Sequence, residues 1–413
     1  MSFLKQRIIF GSIIAILLLG SWYNYRDLAR GPVELATLVP EEPSGLSNEV
    51  EYDRDVFYGP FPEDAPPIRE EDYFGPGLFM ERFINEEHEG SMSHVSSMVP
   101  LIGGDMMAAW YSGSREGAGD VVVYASTFSK GKWSHPVPLV SRESHIMETG
   151  RYVKKVGNAL LARDEEGRLW LFYSSIFAGG WSGASLNYMY SGDEGETWSS
   201  SRRLVLSPLF NLTNNVKNKA LALRGGGFLL PVYHELIKKR SELVRLDPDG
   251  RFRRVLMTDE GEAIQPSIVH KDGSTLGAFF RNMSDDSPRR VLYSESPDMG
   301  LNWGPLLRTT LKNPNAGLDV MATDSGLLAV LNNTDEGRQR LTLEFSSDGG
   351  RTWDELYVLE DEEGREFSYP FIETGTDGLV HITYTYDRKR IKHVSFDRLW
   401  LGALTGTVTG RAR

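Results

Sequence analysis

The chain has 413 residues, 40% of them hydrophobic, and its 57 acidic and 45 basic side chains give a formal net charge of −12 at pH 7. This composition indicates a folded globular body whose overall field repels nucleic-acid backbones, so we expect no nucleic-acid partner. The sequence contains no cysteine, which excludes disulfides, thiolate metal sites and cysteine redox chemistry.

Residues 1–30 predict a short cytoplasmic stub and a transmembrane anchor. Residues 8–23 carry no charge and follow Lys5 and Arg7. Bulky residues stand where a signal peptide would place small ones before its cleavage site, so an uncleaved helix in the inner membrane is favoured over a cleaved signal. The basic residues before this run place the body in the periplasm or elsewhere outside the cytoplasm, although basic residues on the far side weaken the rule.

The next segments predict a linker and a β-rich body. Residues 31–77 are rich in proline and acidic residues and lack hydrophobic periodicity, which is typical of a linker lying against the body. From 78 to 403, short apolar runs such as RLWLFYSSIF at 168–177 alternate with Gly, Asp and Asn. These runs predict strands, and no long stretch has helical periodicity. The body is therefore predicted to be all-β, with 404–413 as a C-terminal tail.

A motif of the form Ser-x-Asp-x-Gly-x-Thr-Trp recurs in this body. Its copies occupy residues 191–198, 296–303 and 346–353, with a degraded copy at 126–133 and a missing one expected near 247–255. Trp353 follows Trp303 by 50 residues, and Trp400 lies a further 47 along. Tandem units of this length, each a small antiparallel sheet, predict a six-bladed β-propeller.

The residues of the motif suit a structural role. The Asp carboxylate can bond to the backbone of its own tight turn, Gly supplies a positive φ, and Trp can pack between sheets. A calcium loop is the competing interpretation, but the motif lacks the twelve-residue ligand series that ends in Glu. We therefore expect no metal and no cofactor.

This motif resembles the Asp-box of the sialidase superfamily, and nearly the whole chain after residue 78 resembles a bacterial sialidase-like propeller. Binding propellers also carry Asp-boxes, so the side chains at the central mouth must decide the function. The segment AWYSGSREGAGDVVVYAS at 109–126 resembles the family's acid/base segment, in which Arg115 is followed five residues later by Asp120. The resemblance implies that Asp120 protonates the leaving oxygen. A solvated turn aspartate is the alternative.

The family holds a sugar carboxylate with three arginines, because a guanidinium offers a planar fork matched to that group. Arg281 and Arg338 resemble the second and third of these, with Arg340 as a register alternative to Arg338. His94 stands where the first arginine would be. It can donate a hydrogen bond to a carboxylate and titrate near neutrality, or it can be a packing histidine.

The resemblance places a nucleophile at Tyr369, activated by Glu235, while a core aromatic is the alternative for the tyrosine. Trp181, in AGGWSG at 178–183, can stack on a pyranose ring or simply belong to a tight loop. Further rim contacts are proposed for Asn315, Arg388, Arg390 and His393.

Together these residues predict a membrane-anchored exo-glycosidase of the sialidase type, a glycoside hydrolase that removes a terminal keto-deoxy sugar acid from an envelope or extracellular glycan. Because His94 replaces a clamp arginine, the sugar is sialic acid or a related ulosonic acid such as 3-deoxy-octulosonic acid. Two alternatives stay open: a non-catalytic glycan-binding propeller, and a sialidase-like subunit of a membrane complex with a membrane-protein partner.

Overall fold

The structure is a computed structural model that describes residues 77–85, 92–207, 211–236, 238–247, 251–258, 262–285 and 287–405, the pair 56–57, and residues 15, 18, 19, 21 and 22. Most of the predicted anchor and linker, and nearly all of the predicted tail, lie outside these residues. Among the residues described, no helix combines the length and the apolar character needed to cross a membrane.

The described strands form six antiparallel sheets. Two short strands precede the first complete sheet, β1 (Val56–Phe57) and β2 (Phe79–Phe83). Blade 1 contains β3 (Met92–Pro100), β4 (Met106–Gly113), β5 (Val122–Ser129), β6 (Lys132–Trp133) and β7 (Val137–Val140). Blade 2 contains β8 (Lys155–Arg163), β9 (Leu169–Ile176), β10 (Ala184–Ser191) and β11 (Arg202–Arg203).

The third and fourth sheets follow the same order along the chain. Blade 3 contains β12 (Leu221–Leu223), β13 (Phe228–His234), β14 (Arg240–Leu246) and β15 (Phe252–Leu256). Blade 4 contains β16 (Ala263–Asp272), β17 (Thr275–Asn282), β18 (Arg290–Ser296) and β19 (Leu307–Lys312).

The last two sheets complete the ring. Blade 5 contains β20 (Asp319–Thr323), β21 (Gly326–Leu331), β22 (Arg340–Ser346) and β23 (Asp354–Asp361). Blade 6 contains β24 (Phe367–Thr374), β25 (Val380–Tyr386) and β26 (Arg390–Phe396). Its fourth strand is β2, which pairs with β26 so that the start of the body closes the ring.

The first strand of five blades is innermost, while in blade 3 the short β1 pairs with the inner side of β12, and inner strands of neighbouring blades contact one another around a central axis. The predicted all-β six-bladed propeller is therefore confirmed. Strand β9 shows why its sequence reads as a continuous apolar run: every residue from Leu169 to Ile176 is buried, because neighbouring blades cover both faces of the sheet. Trp170 of β9 packs edge-on against Phe228 of the next blade, with ring centroids 5.9 Å apart.

The Asp-boxes form the turns between the third and fourth strands of blades 2, 4 and 5. In the first of them, Asp193 Oδ1 accepts hydrogen bonds from Ser191 Oγ at 2.7 Å and from the Thr197 amide at 2.9 Å. The Trp198 indole N–H donates to the Gly195 carbonyl at 3.1 Å. The other two boxes repeat these contacts, so the carboxylates brace their own turns.

The expected missing copy near 247–255 falls at the equivalent β14–β15 connection, where the Asp247 amide donates to the Arg251 carbonyl at 2.9 Å. Trp400 departs from the repeat. It lies in a helix, α2 (Arg398–Thr405), and stacks on Phe79 with centroids 4.8 Å apart. The reason is topological, because the fourth strand of blade 6 comes from the other end of the body.

Two further features were not predicted. A helix, α1 (Arg142–Thr149), connects blades 1 and 2 and is capped by Ser141, whose hydroxyl accepts from the Ser144 amide at 3.0 Å. Strand β1, inside the predicted linker, pairs with β12 of blade 3.

Candidate active site

One end of the propeller carries the six connections between second and third strands, opposite the Asp-box turns. Each blade contributes at least one charged or aromatic side chain from the end of its second strand or from the connection that follows it. In blade order these side chains are Glu116, Trp181, Glu235, Arg281, Arg338 and Arg388. We call the region that they surround the mouth.

The inner strands reach the mouth through a repeated backbone irregularity. Strands β3, β8, β16 and β24 each carry a register shift near their start. In each, one residue has a positive φ: Val95 (50°), Asn158 (46°), Gln265 (52°) and Tyr369 (52°). A β-bulge re-aims a side chain, and such backbone in a non-glycine residue costs about 1–3 kcal/mol. The four bulges lie near the starts of inner strands, at the end of the ring that forms the mouth.

Tyr369 lies at the centre of the predicted site residues. Its phenolic oxygen accepts a hydrogen bond from Arg281 Nη1 at 3.3 Å, and the Arg338 guanidinium lies 5.4 Å from its ring centroid. The His94 ring meets it edge-on with centroids 4.8 Å apart. Gly317 approaches so closely that a Cβ there would lie 3.0 Å from Tyr369 Cδ1. The structure thus brings these predicted residues together.

Arg281 is held by a hydrogen-bond network built from the bulge residues. Its Nε donates to Asn315 Oδ1 at 2.8 Å and its Nη1 to Gln265 Oε1 at 3.3 Å. Gln265 Nε2 and Asn158 Nδ2 in turn donate to the Tyr233 phenolic oxygen at 3.3 and 3.1 Å. Only 9% of Arg281 is exposed, so its guanidinium is oriented before any ligand arrives.

A second network joins two arginines and two carboxylates. Arg388 Nε donates to Glu366 Oε2 at 2.8 Å, and Arg388 Nη1 donates to Glu116 Oε2 at 2.6 Å. Arg338 Nη1 donates to the other Glu366 oxygen at 3.2 Å. Burial would raise the pKa of Glu116, but the neighbouring His94 and the hydrogen bond from Arg388 outweigh this and lower it. Burial would also raise the pKa of Glu366, but the hydrogen bond and the charge of Arg388 lower it. Both groups are therefore anions and poor proton donors.

Trp181 forms one wall of the mouth. Lys155 Nζ lies over its ring, 4.6 Å from the centroid, and Tyr111 packs beside it at 6.4 Å. A Cβ at Gly157 would lie 2.9 Å from Trp181 Cη2, so the absence of a side chain at this position leaves room for the indole. The predicted sugar-stacking role of Trp181 stays a prediction, and its half-buried position fits that role.

Glu235 is half-buried beside the same cluster. Burial raises its pKa, and the nearby Arg281 charge partly opposes this rise. A carboxylate with a raised pKa is a stronger base than an exposed one. Among the described residues, no hydrogen bond links the Glu235 carboxylate to Tyr369, so its predicted pairing with the phenol stays a prediction.

Asp120 and Arg115 lie on the exposed part of the β4–β5 loop. The Asp120 carboxylate accepts hydrogen bonds from the Ser114 amide at 3.2 Å and the Ser114 hydroxyl at 3.1 Å. The structure does not bring Asp120 or Arg115 into contact with Tyr369 within its described residues. Glu116, from the same loop, does reach the inner network, and the sequence had given it no role.

The sequence expectation for His94 needs a correction. His94 is only 1% exposed, and burial, aided by the charge of Arg388, lowers its pKa to about 3. It is therefore neutral at physiological pH and does not titrate near neutrality. Its Nδ1 is hydrogen-bonded to Thr385 Oγ1 at 3.1 Å, while Nε2 has no hydrogen-bond partner in the described part of the chain.

The proposed rim contacts separate into two groups. Asn315 and Arg388 belong to the networks of the mouth, whereas Arg390 packs over Phe83 at 3.8 Å and His393 is buried within blade 6. The register alternative Arg340 begins β22, the third strand of blade 5, and bonds to Glu355 of the outermost strand at 2.7 and 2.8 Å. Arg338 is the one of the two that lies over the Tyr369 ring.

Other mouth residues were missed altogether. They are Glu116, Glu366, Lys155, Asn158, Gln265 and Tyr233. Only Glu116 had a signal in the sequence, its position in the blade repeat.

A separate cavity of about 190 Å³ lies on the axis at the far ends of the inner strands, with Lys219 and Glu373 among its lining residues. None of the predicted site residues lines it. The polar cluster around Tyr369, and not this cavity, is therefore the candidate active site.

Comparison with known proteins identifies the family of this chain and proteins of similar fold. Residues 104–382 match the family model for the BNR repeat-like domain, while no curated protein sequence matches the chain significantly. A Hadza microbial sialidase, Hz136, aligns over 76% of this chain and 68% of its own with a TM-score of 0.63 and 16% identity.

Two other solved structures have similar scores. The intramolecular trans-sialidase from Ruminococcus gnavus aligns over 78% of this chain and 97% of its own, with a TM-score of 0.58 and 15% identity. An α-L-arabinanase from Penicillium chrysogenum aligns over 79% and 98%, with a TM-score of 0.56 and 14% identity. At these identities the likeness establishes the fold alone. Because the family model covers more than half of the sequence, the chain belongs to the BNR repeat-like domain family, as a sialidase-like β-propeller.

Proposed function

We propose that the protein is an exo-glycosidase of the sialidase type that removes a terminal keto-deoxy sugar acid, sialic acid or a related ulosonic acid such as 3-deoxy-octulosonic acid. The observation that carries this proposal is the position of Tyr369, whose phenolic oxygen bonds to Arg281 while Arg338 lies over its ring. The phenol of Tyr369 is thus in contact with two guanidinium groups. It suits attack on an anomeric carbon that bears a carboxylate.

In the proposed reaction, Arg281 and Arg338 hold the sugar carboxylate. Tyr369 Oη attacks the anomeric carbon, Glu235 takes the phenolic proton, and the bond to the leaving oxygen breaks as Asp120 protonates that oxygen. Arg281, already bonded to the phenolic oxygen, stabilises the negative charge that develops there. Water then hydrolyses the tyrosyl intermediate, and two displacements retain the configuration.

The role of Asp120 rests on its loop. The carboxylate is exposed and bonded to Ser114, so it must meet a substrate that fills the mouth and reaches the β4–β5 loop. Glu116 is a poor substitute as the acid, because its pKa is lowered. This difference makes the two carboxylates of one loop separable by experiment.

The test measures free ulosonic acid released from lipopolysaccharide and from sialylated glycans by purified residues 31–413. Tyr369→Phe and Asp120→Asn should each abolish release, whereas Arg340→Gln, at a residue paired with Glu355 of β23, should release acid at the wild-type rate. If both substitutions abolish release, the acid that the wild-type protein releases identifies the sugar. Release that survives Tyr369→Phe would exclude the tyrosyl intermediate.

A non-catalytic glycan-binding propeller is the second candidate, and the separation of Asp120 from the Tyr369 cluster favours it. A binding module needs the arginines but no converging acid and base. Retention of the same glycans on immobilised protein, with no acid released, would support this candidate over the glycosidase.

The proposal includes an inner-membrane anchor in residues 1–30 that holds the propeller in the periplasm, within reach of a membrane-protein partner. Its support is the uncharged run 8–23 after two basic residues. The full-length chain should fractionate with membranes and be degraded by protease added outside the inner membrane. Recovery in the soluble fraction would contradict the anchor.

A further inference from the structure

The carboxylate clamp lacks a cation at the position where the sialidase resemblance requires its first arginine. His94 occupies that position but is buried and neutral. A neutral imidazole offers at most one weak donor, whereas a guanidinium offers a charged fork. The described structure supplies a third guanidinium at this point of the mouth from the turn between β25 and β26.

Arg388 reaches this point through the hairpin turn between β25 and β26. The Ser93 amide, next to His94 in the chain, donates to the Arg388 carbonyl at 3.0 Å. Thr385, three residues before Arg388, is the residue that bonds to His94 Nδ1. Blade 6 therefore delivers Arg388 directly beside the histidine of blade 1.

The backbone of this turn is unusual for its sequence. Asp387 and Arg388 have φ values of 51° and 53°. The loop has three residues, 387–389, because Tyr386 pairs with Arg390. Consecutive positive φ values in a turn favour Gly and Asn, because glycine adopts this conformation without steric cost. An arginine at the second position carries backbone strain, and such strain persists where a side chain has to be aimed.

The carboxylates around Arg388 orient its guanidinium. Glu366 and Glu116 accept from its Nε and Nη1, and Glu366 also accepts from Arg338. The side chain is 39% exposed, and Nη2 has no hydrogen bond among the described residues. The protein therefore holds Nε and Nη1 through two different carboxylates, and the Nη2 amino group remains available to a ligand.

We infer that Arg388, and not His94, is the third arginine of the carboxylate clamp, and that Glu116 and Glu366 position it. The inference rests on the proposed function, since it assigns a further binding residue to the same site. Three guanidinium groups and two carboxylates leave a net charge of +1 in this group. That balance fits a sugar with one carboxylate better than a doubly charged phosphate or sulfate ester.

The test is calorimetric binding of free sialic acid and free 3-deoxy-octulosonic acid, each compared with its carboxamide. The inference predicts that Arg388→Gln weakens binding of the preferred acid by about 10- to 100-fold, the range for a charged hydrogen bond, and leaves carboxamide binding nearly unchanged. Arg388→Lys should recover part of the loss, because it restores charge without the fork. Arg390→Gln, two residues along at the start of β26 where the side chain packs over Phe83, is the matched control and should bind like wild type.

Two results would overturn the inference while the proposed function stands. In the first, Arg281→Gln weakens acid binding and Arg388→Gln does not. In the second, Arg388→Gln weakens acid and carboxamide equally, which indicates a structural ion pair. Wild-type protein that binds neither acid would instead overturn the proposed function and this inference with it.

Discussion

Arg281 donates a hydrogen bond from Nη1 to the phenolic oxygen of Tyr369 at 3.3 Å, across 88 residues of sequence and from blade 4 to blade 6. The contact joins a predicted carboxylate-binding residue to the predicted nucleophile. One guanidinium can thus hold a substrate carboxylate and stabilise the phenolic oxygen during attack.

Arg281→Gln should lower kcat/KM for ulosonic acid release by about 100- to 1,000-fold, the effect of losing one donor aimed at developing charge. Arg340→Gln removes the same charge from β22, where the guanidinium is paired with Glu355, and should have little effect. Steady-state release assays with both variants check this. Equal losses in the two variants would point to a general charge effect and not to a site contact.

Gly317→Ala should impair catalysis without touching any reacting group. The added Cβ would lie 3.0 Å from Tyr369 Cδ1 and 3.3 Å from Gln265 Oε1, so the tyrosine ring must shift. A shift of this kind should lower kcat by about 10- to 100-fold. Gly192→Ala, where a Cβ meets nothing within 4 Å, is the matched control. Wild-type kcat in Gly317→Ala would show that the ring has room to move harmlessly.

The acid side of the pH–rate profile should report Glu235. A base must be ionised, so activity is lost as the pH falls through its pKa, and burial raises that pKa above its ordinary value. The acidic fall of the pH–rate profile should therefore lie at a higher pH than it would for an exposed glutamate. Glu235→Gln should remove the limb together with most of the activity. His94 adds no limb near neutrality, since its pKa is lowered to about 3.

Asp298→Ala should destabilise the fold and spare the site. Asp298 accepts from the Asn302 amide at 2.8 Å and from Asn302 Nδ2 at 2.6 Å in the turn opposite the mouth. Losing these bonds should cost about 1–2 kcal/mol of unfolding free energy, measured in urea, with kcat unchanged. Burial raises the pKa of Asp298 but its hydrogen bonds outweigh this and lower it. The stabilisation is thus complete above the pKa of an unfolded aspartate and is lost as the pH falls through the lowered value.

Lys217→Met should lower the free energy of unfolding more than Asp298→Ala does. Lys217 is 2% exposed, and its Nζ donates to the Leu318 carbonyl at 3.2 Å and to the Pro370 carbonyl, which ties the inner segments of three blades together. Methionine leaves both buried carbonyls unpaired, at a cost of about 2–4 kcal/mol. Urea unfolding of the variant checks this value. A stability equal to wild type would mean that water replaces the ammonium.

The sequence by itself determined the architecture, because its signals are local. The bonds of an Asp-box, such as Ser191 Oγ to Asp193, close within eight residues, so the motif and its spacing predict the turn and the blade wherever they occur. The resemblance to the sialidase family, and not the repeat, pointed to Tyr369, Arg281 and Arg338, because their segments resemble the family's nucleophile and arginine segments.

Only the tertiary structure decided the charges and partners of those residues. Arg388 bonds to Glu116 across 272 residues, and His94 bonds to Thr385 across 291. Closure of the ring creates both contacts, and the same closure buries His94 and removes its charge. The positive-φ bulges likewise depend on packing around the axis, because Val95, Asn158, Gln265 and Tyr369 share no residue type. Electrostatics depends on burial and on distances between remote segments, and no local pattern encodes either.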